Sequence, residues 1–173
     1  QEVRVYAPRP EQVAAFVAEM ATQVSVRLLA VGSSKDAVAG ADVITAATSS
    51  REPVLAGADL KPGVHISGVG SFRLDMSELD QAAVQRCDRI VVDLRESALL
   101  EAGELVAAQS AGVTAVEDWV ELSELLADPS LGRARPQDIT FFKSVGHAVQ
   151  DLFAARKAMA NADRLGLGQV IDL

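Results

Sequence analysis

Six short runs of strand-forming residues alternate with stretches of helical period, and this alternation narrows the possible folds more than any other feature. The runs cover 2–6, 25–30, 42–46, 64–69, 89–93 and 139–142. Between the first two, Pro10 can open a helix that carries Val13, Phe16, Val17 and Met20 at helical spacing. Further helices are expected over 34–38, from a cap at Ser77 through Val84, over about 95–108 and over about 117–127. A last long helix carries Val149, Leu152, Phe153, Met159 and Ala160, with Trp119 in a helical pattern before it and an extended tail over 166–173 after it. Alternating strands and helices predict a parallel sheet joined by right-handed crossovers, with helices on both faces.

In such a sheet, ligands sit beyond the carboxyl ends of the strands. The residues just after each strand are therefore the candidates. They are Arg9, then Thr48-Ser49-Ser50, then Gly70-Ser71-Phe72, then Asp93, then Lys143-Ser144-Val145-Gly146. Most are small or carry a hydroxyl, which lets a ligand approach the backbone closely.

Other classes are disfavoured. The formal net charge is −8 and no basic run occurs, which argues against a nucleic-acid partner. Two isolated histidines and one cysteine make no metal set, and no Gly-x-Ser-x-Gly nucleophile turn is present. No apolar run approaches the roughly 20 residues of a spanning helix. Cys87 closes an apolar helical pattern and reads as a core residue, and a single cysteine fits a reducing compartment, hence a cytoplasmic location. His65 lies within a strand pattern and reads as structural.

Three stretches carry a resemblance: 42–55, reading DVITAATSSREPVL; 61–71, reading KPGVHISGVGS and closed by Glu78-Leu79; and 142–151, reading FKSVGHAVQD. In this order and spacing the chain resembles the ornithine cyclodeaminase/μ-crystallin family over nearly its whole length. The resemblance implies a Rossmann-like, doubly wound α/β domain that binds NAD(H) or NADP(H). Residues 1–150 would be part of that domain. Residues 151–173 would be a C-terminal helix and tail returning toward a substrate and dimerisation domain. The family's first strand and glycine-rich turn would precede Gln1, and that strand would lie between the first and third strands read here. Two central edges would then lack partners, so residues 1–173 alone are expected to be unstable.

The resemblance also assigns roles. Thr48, Ser49, Val69, Gly70 and Ser71 match positions that pass under the cofactor. Ser144, Val145 and Gly146 match the loop at its nicotinamide end, and Ser144 can also cap the following helix. Arg9 follows the first strand, where an acid would favour NAD and an arginine accepts a 2′-phosphate, so NADP(H) is favoured over NAD(H). Lys143 reads either as a substrate or phosphate contact or as an exposed strand-end lysine. His147 reads either as a proton donor or as a packed helix-start histidine. Glu78 reads as a helix N-terminal charge and Asp75 as a loop residue. Phe72 stands where the cyclodeaminases carry an acid/base Asp, and a phenyl ring moves no proton. The motif around it is closer to the imino-acid reductases. The expected activity of a full-length parent is NAD(P)H-dependent reduction of a small cyclic imino acid, in a homodimer. The alternatives are ornithine cyclodeamination and a non-catalytic NADPH-binding role like that of μ-crystallin.

Overall fold

The computed structural model describes residues 1–169 and 171. Its strands are β1 (Glu2–Val5), β2 (Arg27–Ala30), β3 (Val43–Ala46), β4 (His65–Gly68), β5 (Arg89–Val92), β6 (Val120–Glu121) and β7 (Thr140–Lys143). The helices are α1 (Pro10–Met20), α2 (Ser34–Val38), α3 (Gln81–Gln85), α4 (Arg95–Glu101), α5 (Gly103–Ser110), α6 (Leu122–Ala127) and α7 (Ala148–Leu165). Every strand pair is parallel. Strands β1 and β2 form one ladder, and the others form a sheet in the order β3-β4-β7-β5-β6. This is the parallel, doubly wound α/β arrangement expected from the alternation.

The register separates the sheet into two faces. Ile44, Ile66, Phe141 and Ile90 lie in one row, and all are buried. They pack with Leu79, Ala83, Val84, Leu105 and Ala108 from α3, α5 and the segment before them. The other face carries Val43, His65, Thr140 and Arg89 in the same row. There α6 brings Leu122 and Leu125 over Val91 and Phe142, while Val43 stays 64% exposed. Gly68 pairs with Lys143, and a side chain at 68 is disfavoured because a Cβ there would lie 2.8 Å from the Phe141 ring.

Strands β1 and β3 each have one ladder partner among the described residues, β2 and β4 respectively.

Several boundaries differ from expectation. The helix over 95–108 is two helices, broken at Ala102, whose ψ is 87°. Gly103 there abuts the carbonyls of Arg73, Leu74 and Met76, and a Cβ would lie 2.1 Å from the Met76 oxygen. Ser77 caps no helix. Its hydroxyl donates to the Leu79 carbonyl, and Leu79 forms a parallel bridge with Leu55 that keeps this stretch extended. Asp80 caps α3 instead, accepting from Ala83 N at 2.7 Å. The expected helix over 117–127 is a 3-10 turn, then β6, then α6. Trp119 is wholly buried before β6, its indole N–H donating to Thr114 Oγ1 at 3.0 Å. The apolar stripe of α7 is exposed at Val149, Leu152, Phe153 and Met159. The extended tail expected over 166–173 includes residues 170, 172 and 173, which lie outside the described residues.

Candidate functional site

The loops that follow β3, β4, β5 and β7 leave the same edge of one parallel sheet. Three carboxylates join them. Glu78 is fully buried, and its oxygens accept from Thr48 N at 2.5 Å and Gly70 N at 3.0 Å. Those two loops touch so closely that a Cβ on Gly70 would lie 2.0 Å from Thr48 N. Asp93 Oδ2 accepts from Ser144 Oγ at 2.8 Å and from Val145 N and Gly146 N at 3.0 Å each. Glu104 accepts from Ser71 Oγ at 2.8 Å and lies 2.9 Å from Lys143 Nζ. Lys143 also donates to the Ser71 carbonyl at 2.6 Å and to its hydroxyl at 2.5 Å.

These ties make one continuous shelf. Ser71 and Ser144 lie on the same side of the molecule, because Ser71 is bonded to the residue that precedes Ser144. The outer surface of the shelf carries Ser49 and Val69, both exposed, with Thr48 half-buried. Gly146 is exposed there at φ +88°, with nothing within 4 Å of where a Cβ would stand. Small side chains and bare backbone leave room for a flat or elongated ligand. The residues present therefore fit a flat, elongated group such as a dinucleotide lying on the ledge.

Several expected roles change. Glu78 is not a helix N-terminal charge; it satisfies two loop N–H groups from inside the core. Ser144 does not cap α7: it lies three residues before the N-cap His147, and its hydroxyl donates to Asp93 and accepts from Gly146 N. His147 takes the cap, its Nδ1 accepting from Val149 N at 3.2 Å. Lys143 is not an exposed strand-end lysine; it is wholly buried, with its ammonium turned to Ser71 and Glu104. Ser71 is buried too, so its side chain faces the interior and not the outer surface of the shelf. Arg9 is exposed after β1 and forms no ion pair among the described residues. Asp75 is an exposed loop residue that pairs with Arg73 and Arg51.

Sequence reasoning missed the roles of Asp93 and Glu104. The signal for Glu104 was present: an acid flanked by the buried Gly103 and Leu105, one turn from Ala108. A charge on that face requires an internal partner.

His65 bridges Thr140 Oγ1 at 2.8 Å and Ser67 Oγ at 3.2 Å. Burial pushes its pKa down, and the nearby Arg133 charge adds to this. Burial pushes the Cys87 thiol up to about 12, with Asp88 beside it. Among the described residues no group of three or more His, Cys, Asp or Glu could hold a metal. No described helix is long and apolar enough to cross a membrane. Two cavities of about 580 and 360 Å³ lie elsewhere, and neither includes residues of the Thr48, Gly70 or Ser144 loops. The shelf is an open ledge, so enclosed volume does not mark it.

Comparison with known proteins agrees with this geometry. The model of the ornithine cyclodeaminase/mu-crystallin family matches residues 1–164. A Delta(1)-pyrroline-2-carboxylate reductase of Bacillus cereus is 32% identical over 173 residues, covering 99% of this chain and 53% of that protein. The ketimine reductase mu-crystallin of Mus musculus is 35% identical, covering 90% of this chain and 46% of its own length. Among solved structures, the Delta(1)-pyrroline-2-carboxylate reductase of Thermococcus litoralis, in complex with NADH and L-proline, superposes with a TM-score of 0.93. It is 32% identical, with 99% of this chain and 53% of that one covered. The chain thus spans about half the length of these relatives. With the family model matching nearly the whole chain and these identities beside it, this chain belongs to the ornithine cyclodeaminase/mu-crystallin family.

Proposed function

We propose that the protein carrying this chain reduces a small cyclic imino acid with a nicotinamide dinucleotide, and that these residues form part of the dinucleotide site. The observation that carries the reading is the shelf itself: loops from four parallel strands, joined by Glu78, Asp93 and the Lys143–Glu104 pair. The reading is supported by relatives named as reductases of cyclic imino acids, one of them bound to NADH and L-proline.

When bound, the reduced dinucleotide supplies the hydride. This chain's residues orient it. The backbone at Thr48, Ser49, Val69 and Gly70 lies under the cofactor, and Val145 and Gly146 meet its nicotinamide end. Arg9, exposed and without an acidic partner, suits a 2′-phosphate, so NADP(H) is favoured over NAD(H). His147 uses Nδ1 as the acceptor of the helix cap, so its Nε2–H can donate a hydrogen bond to a ligand, while proton transfer from this ring would require the cap bond to break. Phe72 is 49% exposed beside this surface and offers an apolar wall with no proton to give. It disfavours cyclodeamination, which needs an acid/base at that point.

The test uses the protein with whatever sequence flanks this chain in its gene. Reduced nicotinamide should be consumed with Δ1-pyrroline-2-carboxylate or Δ1-piperideine-2-carboxylate. Absence of turnover with every cyclic ketimine removes the proposal. Proline and ammonia formed from ornithine without net NADH change would establish the cyclodeaminase reading in its place.

A further inference from the structure

Lys143 and Glu104 lie under the shelf with no water contact, and neither side chain has a surface that a ligand could touch. Any part they play in the site must pass through Ser71. The ammonium's three protons have three acceptors: Glu104 Oε1, the Ser71 carbonyl and the Ser71 hydroxyl. The Ser71 proton in turn goes to Glu104, so the ring of contacts closes on itself. On either side of Ser71 the chain is open, with Val69 46% and Phe72 49% exposed. The turn is thus held from beneath while its outer side faces solvent.

Stability is a weak reason for such a pair. Desolvating two charges costs several kcal/mol per ion, and apolar replacements of similar volume are often neutral or stabilising. What an ion pair adds is direction, because each proton fixes one acceptor. Here two of the acceptors belong to one residue of the turn. Lys143 also leads directly into Ser144, which Asp93 holds. The pair therefore sets the spacing between the turn after β4 and the loop after β7.

We propose that Lys143 and Glu104 are a positioning pair for the ligand: by gripping Ser71 through both carbonyl and hydroxyl, they fix the turn that presents Val69 and Phe72 to the nicotinamide and imine. This rests on the reductase reading above.

The experiment compares the parent protein, in its native flanking sequence, with the charge-free double variant Lys143→Met/Glu104→Leu and with Ser71→Ala. Melting temperature, amide hydrogen exchange over residues 69–74, NADPH and NADH affinity, and kcat and KM with Δ1-pyrroline-2-carboxylate are measured on each. The double variant should melt cooperatively but below the parent, because the buried Ser71 oxygens lose their partners, exchange faster over 69–74, and lose about 10- to 100-fold in kcat, the scale of an ångström-sized misplacement. A double variant with the parent's exchange pattern and kcat overturns the proposal. If the double variant does not fold, Ser71→Ala decides. Faster exchange over 69–74 with a lower kcat supports the pair, and unchanged values overturn it. A parent that binds neither nucleotide and reduces no imine removes the reductase reading and the positioning role together. A parent that turns over beside an equally active double variant removes the positioning role alone.

Discussion

Lys143 Nζ stands 2.9 Å from Glu104 Oε1, with both side chains fully out of water. Removing one partner strands a charge, and removing both does not. Lys143→Met alone should cost about 3–5 kcal/mol, whereas Lys143→Met/Glu104→Leu should cost far less. Urea unfolding midpoints of the two single variants and the double variant give the coupling directly. Additive losses would refute it.

Glu78 satisfies the N–H groups of two separate loops with its two oxygens. Glu78→Gln keeps the shape but can accept through one oxygen only, and it places an NH2 against a backbone donor. A loss of about 1.5–3 kcal/mol is expected from hydrogen bonds to a charged group. The loss should come with faster amide exchange at Thr48 and Gly70, read by mass spectrometry. Exchange that rises uniformly along the chain would contradict the assignment.

The Cys87 thiol, pushed up to about 12 by burial, should be almost entirely protonated at neutral pH. Its sulfur also donates to the Ala83 carbonyl at 3.2 Å. Since the thiolate is the reactive form, an aromatic disulfide reagent should label the folded protein slowly and the urea-unfolded protein fast. Rapid labelling of the native state would contradict this burial.

His65 has its pKa lowered from 6.5 by burial and then by Arg133. A lowered base binds protons more readily in the unfolded chain than in the folded one. Its stabilising effect is complete above 6.5 and is lost as pH falls from there through the folded value. The parent should therefore lose more melting temperature between about pH 7 and 5.5 than His65→Gln does, since histidine titrates across that window. Equal losses in both would refute the linkage.

The alternation of strands with helices was legible because each apolar run is short and ends in polar or small residues, as at Thr48 and Gly70. The resemblance carried by 42–55, 61–71 and 142–151 located the loops of the shelf. What holds those loops was not legible. Glu78 and Glu104 look like ordinary helix-surface acids in one dimension, and their roles depend on Thr48, Gly70, Ser71 and Lys143, all distant in sequence. Lys143 was ambiguous for the same reason: a strand-end lysine is exposed or buried according to whether a carboxylate comes to meet it. The break at Ala102 and strand β6 were hidden by apolar spacing that mimics a continuous helix.

Strands β1 and β3 each keep one flank free of ladder partners among the described residues. A flank of this kind is a row of donors and acceptors open to any extended peptide. Strands β2 and β6 likewise have one ladder partner each, so the described residues carry four such flanks, one on each side of the β1–β2 ladder and one at each end of the larger sheet. A short β-branched peptide should pair with whichever of these flanks no other element covers, read as slowed amide exchange at the edge strands.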